Sequence, residues 1–483
     1  MSNNLKVLFV ASEALPFAST GGLADVIGSL PSALVKNGVD ARVVIPYYSS
    51  IKHNSSFDIS YLCDFTVKLA WRNQYCGIFT ALSNGITFYF IDNEYYFNRP
   101  SLYGNFDDGE RYAFFSKAVL DMLPRIDFFP DILHTNDWQS ALSGVYLKQI
   151  YRHGDYRFRP IRVVHSIHNI EFQGIFDHAI LGDVFDLPPQ LASIVDYNNC
   201  INLTKGAIVC CDRLTTVSPT YAKEIRSASF AFGLQHIINQ YSFKTTGIIN
   251  GIDQHYYNPE TDQSIVHQYN SPEGKQKNKL ALQSELGLPE NVNIPMISMI
   301  TRLTSQKGLD LVTAVIEEFL CDDVQFVLLG TGDPGFESFF RRLEEKHPSK
   351  VCSIIAYDKA LSKKIYASAD IFLMPSKTEP CGLAQMIASR YGTVPVVRET
   401  GGLYDTIRYY DDETGEGNGF TFSRYNAHDM LYTLRKAVGL YRDYRDKWDA
   451  LSRKIMKIDF SWEVSAGKYA ELYKDIISLD KQK

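Results

Sequence analysis

The chain lacks the long apolar runs and basic runs that mark membrane proteins and nucleic-acid-binding proteins. No stretch of its 483 residues approaches the ~20 apolar residues of a membrane-spanning helix. The formal net charge is −6 without a long basic run, so binding to nucleic acid or to an acidic membrane surface gains no support. The first apolar run, from Val7 to Ala11, is too short for a signal-peptide core. We therefore expect a soluble globular protein.

Cysteines are few and scattered. The eight cysteines include no CxxC pair, and Cys210 and Cys352 lie in apolar runs. This usage is typical of reduced thiols in a cytoplasmic protein. His165 and His168 follow a strand-like run without an obvious cluster of further ligands, so we expect no metal site.

What the sequence does contain is a regular alternation of short apolar runs with segments of helical spacing. A chain of this length is expected to form two domains. Runs that are apolar on both faces are typical of parallel strands covered by helices. The runs span residues 6–12, 41–48, 86–92, 131–137, 161–169 and 212–218 in the first half and 293–303, 324–330, 351–358, 371–376 and 394–399 in the second. The pattern predicts an α/β fold of two domains with parallel sheets, and ligand sites at the carboxyl ends of the strands.

The division between the two halves is predicted near residues 245–253, because a polar stretch follows over residues 258–277. Such a stretch is typical of a linker or a surface excursion. We therefore predict a first domain over residues 1–245 and a second over residues 246–460. Residues 461–483 are predicted to form a helix with a charged tail that packs back on the first domain.

One hexad occurs twice, as TGGLAD at residues 20–25 and as TGGLYD at residues 400–405. Each copy follows a strand-like run and precedes a helical segment. A glycine pair there lets the backbone approach a ligand closely, and the helix N-terminus favours an anionic group. Two such turns indicate two nucleotide-binding-type halves that face one cleft. The alternative is two ordinary strand–turn–helix links whose glycines serve tight packing.

The segment TRLTSQKGLDL (301–311) places two cations on a turn between a strand and a helix. Arg302 and Lys307 on this turn would suit a diphosphate group. The alternative, a solvated basic pair, is disfavoured because the dipole of the following helix opposes cations at its start.

The segment MPSKTEPCGLAQMIA (374–388) also joins a strand to a helix. Pro380 presets the turn, Gly382 permits close approach, and Glu379 lies where a buried carboxylate would bind sugar hydroxyls. The alternative role for Glu379 is a carboxylate that interacts with free N–H groups at the helix start.

A third segment, GTGDPG (330–335), matches the GxGxxG pattern of dinucleotide-binding proteins, and Asp358 ends the next strand. Pro334 falls where the helix of that motif would begin, and proline is tolerated only at the first helical position. We therefore do not expect NAD, although the turn would still suit a nucleotide.

Two segments of the first half, HTNDW (134–138) and SIHN (166–169), each end a strand-like run, so Asp137 and His168 are expected at one sheet edge. Asp137 would place a carboxylate near an anomeric carbon, and His168 would bind a sugar hydroxyl. The alternatives are a helix cap for Asp137 and a satisfied core histidine for His168.

Taken together, these segments resemble the bacterial and plant-type glycogen (starch) synthases of glycosyltransferase family 5. The resemblance covers nearly the whole chain, and its motifs, in order, are SEALPF, TGGLADV, HTNDW, SIHN, TTVSPTYAKEI, INGID, TRLTSQKGLDL, GTGDP, MPSKTEPCGL and VRETGGLYDT. It implies a GT-B fold, with a glucan-acceptor domain and a nucleotide-sugar domain, both Rossmann-like, around an interdomain cleft. It also implies transfer of glucose, with retention, from ADP-glucose to the non-reducing 4-hydroxyl of an α-1,4-glucan.

The resemblance also implies roles for individual residues. Arg302 and Lys307 would hold the donor diphosphate, and Glu379 would contact the donor glucose. His168 would bind near the C6 hydroxyl, and Asp137 would lie on the glucose side of the active site. The further donor-binding positions are Ser19, Thr20, Gly21, Gly22, Tyr357 (near the adenine), Cys381, Gly382, Leu383 and Gly401. The implied partners are the nucleotide-sugar donor and the glucan, without a metal or a cofactor, and a homo-oligomer is compatible with the sequence.

The sequence departs from the family pattern at three places. Ser19 stands where the family usually has a lysine, Gln235 and His236 replace an Asp-Gly pair, and Thr378 replaces a larger residue. A hydroxyl cannot replace an ammonium beside a diphosphate. Two alternatives to an active ADP-glucose enzyme therefore remain open: a weakened or inactive glucan-binding paralogue, and a GT-B transferase that uses UDP-glucose.

Overall fold

The computed structural model describes residues 4–478, and the chain divides into two compact α/β units. The first unit runs to Gly251 and resumes at Trp462, and the second runs from Ile252 to Ser461. Residues 246–251, predicted for the second domain, belong to the first unit. The reason is that Thr245–Gly247 forms the outermost strand of its sheet.

The first unit is built around a large twisted sheet, here called the main sheet. Its strands and those of a small second sheet are β1 (Lys6–Val10), β2 (Asp40–Pro46), β3 (Ser60–Leu69), β4 (Arg72–Ser83), β5 (Ile86–Asp92), β6 (Ile132–Asn136), β7 (Arg162–Ile167), β8 (Ile175–Phe176), β9 (Asp196–Tyr197), β10 (Cys200–Asn202), β11 (Arg213–Thr216) and β12 (Thr245–Gly247). The main sheet has the order β12-β11-β7-β6-β1-β2-β5-β4-β3, and the small sheet has the order β8-β10-β9.

The strands β3 and β4 were not predicted. They form an antiparallel hairpin at one edge of the main sheet, and β4 also pairs antiparallel with β5. The burial of β3 alternates along much of its length, because one of its faces is exposed. An alternating strand lacks the continuous apolar run by which the parallel strands were recognised.

Helices cover the first unit. They are α1 (Gly22–Lys36), α2 (Ser49–Lys52), α3 (Glu94–Phe97), α4 (Asp108–Met122), α5 (Asp137–Tyr146), α6 (Arg152–Gly154), α7 (Ala192–Val195), α8 (Leu203–Cys210), α9 (Pro219–Glu224) and α10 (Gln235–Gln240). In α1 the apolar residues Leu23, Val26, Ile27, Leu30 and Leu34 recur at helical spacing and are all buried, so the sequence dictates both the helix and the face that it buries.

The second unit has one wholly parallel sheet. Its strands are β13 (Met296–Ile300), β14 (Gln325–Leu329), β15 (Val351–Ile354), β16 (Ile371–Met374), β17 (Val394–Arg398) and β18 (Phe420–Phe422), in the order β15-β14-β13-β16-β17-β18. Its helices are α11 (Pro272–Glu285), α12 (Leu309–Phe319), α13 (Pro334–Lys346), α14 (Lys359–Ser368), α15 (Ala384–Arg390), α16 (Gly401–Thr406), α17 (Ala427–Asp443) and α18 (Arg445–Ile455). Strands buried on both faces explain why the apolar runs of this half were continuous.

The polar stretch over residues 258–277 is part of the second unit rather than a linker. The Tyr391 hydroxyl donates to the buried Asp262 carboxylate at 2.5 Å, and the Tyr269 hydroxyl donates to the Tyr391 carbonyl at 2.8 Å. Helix α11 then starts at Pro272. A few buried polar contacts therefore fix a segment whose composition is that of a surface loop.

The last helix, α19 (Trp462–Ser478), returns to the first unit. It packs on α1, and the Ser465 hydroxyl donates to the Ile249 carbonyl at 2.6 Å. The charged tail predicted after it lies outside the described residues. Over residues 4–478 no helix is both long and apolar enough to cross a membrane.

Each sheet has a point at which the strand order reverses. In the main sheet β1 lies between β2 and β6, and in the second sheet β13 lies between β14 and β16. The central strands of each sheet end almost level: Val10, the last residue of β1, lies opposite Thr135, the last but one of β6, and Ser298 lies opposite Phe372, each two residues before the end of its strand. Such switch points open a crevice at the carboxyl ends of the strands, which is where ligands bind in sheets of this kind.

Candidate active site

In the second unit the switch point carries a partly buried ion pair. Lys307 lies on the turn after β13, Glu379 follows β16, and Lys307 Nζ is 2.7 Å from Glu379 Oε2. The Ser376 hydroxyl donates to the same carboxylate oxygen at 2.9 Å. The lysine side chain is 17% exposed and the glutamate side chain 8%, so neither is a solvated surface charge.

The two loops that carry this pair are tied together. Gly308 has a φ of +73°, and a Cβ there would lie 2.1 Å from the Pro375 carbonyl oxygen, so only glycine lets the loops approach. The backbone N–H of Lys377 donates to the Gln306 carbonyl at 2.8 Å, and Gln306 Nε2 donates to the Thr378 hydroxyl at 3.0 Å. Thr378, one of the departures from the family pattern, therefore has a structural partner here.

Arg398 was missed by the sequence reasoning. It ends β17, its Nε donates to the Ser376 carbonyl at 2.8 Å, and its Nη2 donates to the Lys377 carbonyl at 2.6 Å. The guanidinium thus fixes the loop that leads to Glu379. An arginine that closes an apolar strand run, as in VPVVRE, was the available signal.

The second hexad uses its glycines for packing. A Cβ at Gly401 would lie 2.0 Å from the Glu379 carbonyl oxygen, and one at Gly402 would lie 2.1 Å from the Cys381 carbonyl oxygen. Cys381 is buried, and Gly382 has a φ of +73° just before Leu383 and α15. The packing alternative explains this glycine pair, and donor contacts by Cys381, Gly382, Leu383 and Gly401 stay a prediction.

Two predicted donor contacts are exposed. Arg302 lies on the surface of the loop after β13, and Tyr357, on the loop after β15, is 81% exposed. The structure leaves both side chains accessible to a ligand, and their roles stay predictions. The GTGDPG turn is a packing feature: a Cβ at Gly330 would lie 1.8 Å from the Thr301 carbonyl oxygen, and α13 starts at Pro334 itself.

In the first unit the switch point carries two carboxyl groups, the first partly buried and the second buried. Asp137 follows β6 as the first residue of α5, with a φ of +53°, and its Oδ1 accepts from the His168 backbone N–H at 2.8 Å. Burial raises the pKa of Asp137 to about 7, although hydrogen bonds from the backbone N–H groups of His168 and Asn169 oppose the shift. The left-handed backbone is uncommon for a residue other than glycine, and such positions concentrate at functional sites.

His168 is brought beside Asp137 in a defined protonation state. Burial lowers the pKa of His168 to about 4, so the ring is neutral at neutral pH. Its Nε2 is 2.9 Å from Asn136 Oδ1, and the Asn136 amide nitrogen donates to the carbonyls of Val10 and His134. Because Asn136 Oδ1 is an acceptor, His168 donates from Nε2 and keeps Nδ1 as an acceptor for a ligand hydroxyl.

The second carboxyl group, Glu13, was not predicted as a site residue. It follows β1 and is 3% exposed, and its Oε2 accepts from the backbone N–H of Thr20 at 2.5 Å and from the Thr20 hydroxyl at 2.8 Å. Burial raises the pKa of Glu13 to about 7, and the charge of Asp25 adds to the shift. A glutamate placed directly after an apolar strand run was the signal in the sequence.

The first hexad, whose Thr20 donates hydrogen bonds to Glu13, differs from the second in its exposure to solvent. Ser19, Thr20, Gly21 and Gly22 are all exposed, and a Cβ at Gly21 or Gly22 would meet no atom within 4 Å. Close packing therefore does not explain these two glycines, and donor contacts by Ser19, Thr20, Gly21 and Gly22 stay a prediction.

The departure at Gln235 and His236 lies at the start of α10. Phe232 and Gly233 precede it with φ values of +48° and +93°, and the buried Gln235 Oε1 accepts no hydrogen bond from any residue within 4–478. Within the same range no group of three or more His, Cys, Asp and Glu residues is arranged to hold a metal ion.

Comparison with known protein families gives two matches that together span most of the chain. The family model for the starch synthase catalytic domain matches residues 6–240, and the model for glycosyl transferases group 1 matches residues 283–454. The chain is 46% identical to glycogen synthases of Geobacillus thermodenitrificans and Geobacillus stearothermophilus, over 99% of each chain. It is also 46% identical to that of Bacillus cereus, over 98% of this chain and 100% of the relative.

Solved structures give the same picture. The catalytic domain of starch synthase IV from Arabidopsis thaliana, bound to ADP and acarbose, matches with a TM-score of 0.90 and 36% identity, over 98% of this chain and 100% of the other. Sucrose-phosphate synthase from Thermosynechococcus elongatus matches with a TM-score of 0.63 and 16% identity, over 99% and 100% of the two chains, and shares the fold alone. The predicted two-domain GT-B fold is confirmed.

Proposed function

The chain belongs to the glycogen synthase family of glycosyltransferases, as its motifs predicted, and from this premise we propose that it extends an α-1,4-glucan with glucose from ADP-glucose, with retention. The observation that carries the proposal is the partly buried pair of Lys307 and Glu379 at the switch point of the second sheet. A cation and a carboxylate at this edge suit a sugar diphosphate, whose phosphates take the cation and whose hydroxyls take the carboxylate.

In this proposal Lys307 changes partner when the donor binds. Its ammonium moves from Glu379 to the diphosphate, where with Arg302 it stabilises the charge that develops on the leaving group. Glu379 then accepts hydrogen bonds from glucose hydroxyls. The Ser376 hydroxyl and the loop held by Arg398 keep the carboxylate in place throughout.

On the first unit, Asp137 and His168 would serve the glucose. His168 Nδ1 accepts a hydroxyl proton, and Asp137 places a carboxyl group near the anomeric carbon. The acceptor 4-hydroxyl oxygen forms the new bond to C1 on the face from which the phosphate departs. Its proton passes to the leaving phosphate oxygen, so the reaction balances without a protein nucleophile.

The alternative of a glucan-binding paralogue rests on the exposed Ser19 in place of the usual lysine, and on Gln235 and His236 in place of the usual Asp-Gly pair. A cytoplasmic location is proposed because all eight cysteines are free thiols.

The test is transfer of radiolabelled glucose to glycogen from ADP-glucose and, separately, from UDP-glucose. We expect incorporation from ADP-glucose, and a loss of at least about tenfold in Glu379→Gln, which keeps the shape of the side chain and removes its charge. Incorporation from UDP-glucose alone would overturn the donor assignment. Binding of glycogen without incorporation from either donor would favour the paralogue.

A further inference from the structure

A buried row of hydrogen-bonding side chains links the C-terminal helix to the main sheet. Tyr473 of α19 contacts His134 of β6, with 2.6 Å between the hydroxyl and Nδ1. His134 Nε2 lies 2.7 Å from the Ser166 hydroxyl of β7, which lies 2.5 Å from the Thr215 hydroxyl of β11. All four residues are at most 1% exposed. The row therefore crosses three neighbouring strands within the core of the first unit.

The contacts of its two ends give the row a direction. Burial lowers the pKa of His134 well below its usual value, so the ring is neutral and only one nitrogen carries a proton. The Thr215 hydroxyl has a further acceptor, the His165 carbonyl at 3.4 Å. Within residues 4–478 the Tyr473 hydroxyl has no second partner, so a row that ended on it would leave a buried O–H without an acceptor.

These contacts assign the donor and the acceptor of each hydrogen bond in the row. The Tyr473 hydroxyl donates to His134 Nδ1, and His134 donates from Nε2 to the Ser166 oxygen. The Ser166 hydroxyl donates to Thr215, which donates to the backbone. Hydrogen bonds that run in one direction polarise and strengthen one another.

The row lies directly beneath the sugar-binding residues of the proposed function. His134 is on β6, which Asp137 directly follows, and Ser166 is on β7, which His168 directly follows. Ser166 pairs with Asn136 in register. We infer that Tyr473, His134, Ser166 and Thr215 form a one-directional relay through which α19 positions the ends of β6 and β7. The relay thereby fixes the distance between Asp137 and His168. This inference rests on the proposed function.

The first test compares two hydroxyls of α19. Tyr473→Phe removes the start of the relay, and Ser465→Ala removes the hydrogen bond to the Ile249 carbonyl, which lies outside the relay. We expect Tyr473→Phe to lower kcat about tenfold or more with the KM for ADP-glucose unchanged, because small misplacement of reacting groups slows chemistry more than binding. Ser465→Ala should leave kcat within about twofold. Equal effects of the two variants on kcat would overturn the inference.

The second test uses the two ends of the relay. Independent sites have additive effects, whereas members of one hydrogen-bond network do not. We expect the double variant Tyr473→Phe with Thr215→Val to lose less kcat than the product of the two single losses. Tyr473→Phe combined with Ser465→Ala should give the product of its single losses. Additive losses along the relay would contradict it.

A third measurement does not depend on activity. In the full chain with 15N-labelled histidine, the ring signals of His134 are identified by their loss in His134→Gln. We expect a neutral ring with its proton on Nε2 at neutral pH, and a shift of the Nδ1 signal in Tyr473→Phe. A proton on Nδ1 would overturn the relay. Lack of transfer activity in the unmodified protein would instead refute the proposed function, and the two failures are thus distinguishable.

Discussion

Replacing Lys307, Glu379 or both separates the part that this ion pair plays in folding from its part in catalysis. In Lys307→Met the carboxylate keeps the Ser376 hydroxyl but loses its cation in a site where its side chain is only 8% exposed. We expect a loss of about 2–3 kcal/mol in the free energy of unfolding, somewhat below the ~3–5 kcal/mol of a fully buried broken pair.

The double variant Lys307→Met with Glu379→Gln is the informative one. It leaves no uncompensated charge, so its stability should return to within about 1 kcal/mol of the original protein. Transfer activity should not return, because both substrate contacts are gone. Each single variant should lose about 1.5–3 kcal/mol of transition-state stabilisation, which is roughly ten- to a hundredfold in kcat/KM.

Urea unfolding and donor kinetics on the same preparations provide the assay. The matched control is Lys364→Met, which breaks an exposed pair with Glu285 at 2.8 Å and should change stability by less than about 1 kcal/mol and activity not at all. Recovery of activity together with stability in the double variant would refute the reasoning, because the pair would then be purely structural.

Three further predictions follow from the site. In the folded protein the pKa values of Glu13 and Asp137 are raised to about 7, from 4.5 and 3.8. The folded state therefore binds more protons than the unfolded state between about pH 4 and 7, and both groups lower the free energy of unfolding as the pH rises through that window. The free energy of unfolding, measured against pH, should fall less steeply in Glu13→Gln, and an unchanged slope would contradict the shift. Ser19→Lys should lower the KM for ADP-glucose by up to about tenfold if the first hexad faces the diphosphate, and an unchanged KM would argue against that placement. Gly402→Ala should destabilise the protein by at least about 1–3 kcal/mol, because its Cβ would clash with the Cys381 carbonyl. Gly22→Ala should change stability by less than about 0.5 kcal/mol but lower transfer activity. Thermal unfolding of the two variants checks this difference, and equal destabilisation would contradict it.

The parallel strands could be predicted because burial on both faces leaves a continuous apolar run. β13, β14 and β17 are such strands, whereas β3 was missed because only one of its faces is buried. The order of the strands in each sheet could not be predicted from hydrophobic periodicity. The two switch points became visible only when β1 was found between β2 and β6, and β13 between β14 and β16.

The site was predictable in its residue types more than in its geometry. Asp137 and His168 were expected at one edge and are joined by a hydrogen bond of 2.8 Å, because strand ends of adjacent parallel strands meet. The two hexads have similar sequences, but their glycines differ in packing, because the atoms around a glycine come from loops that are distant in the chain. Gly402 meets the Cys381 carbonyl, and Gly22 meets open space.

Glu13 was missed because its position after an apolar strand run is a weak signal by itself, and its burial and its hydrogen bonds from Thr20 depend on the fold of the loop between them. The Lys307–Glu379 contact was missed for a related reason. Lys307 and Glu379 were each interpreted from their own segment, and the local sequence of neither segment shows that the two loops are in contact.

The most direct test of the central claim is to incubate the purified protein with ADP-glucose and a maltooligosaccharide of defined length, and to follow the products by mass spectrometry and proton NMR. We expect chains that lengthen by one glucose at a time with new α-1,4 linkages, and a lengthening that is roughly ten- to a hundredfold slower in Lys307→Met. Absence of extension with ADP-glucose, or a new linkage of β configuration, would contradict a retaining glucan synthase.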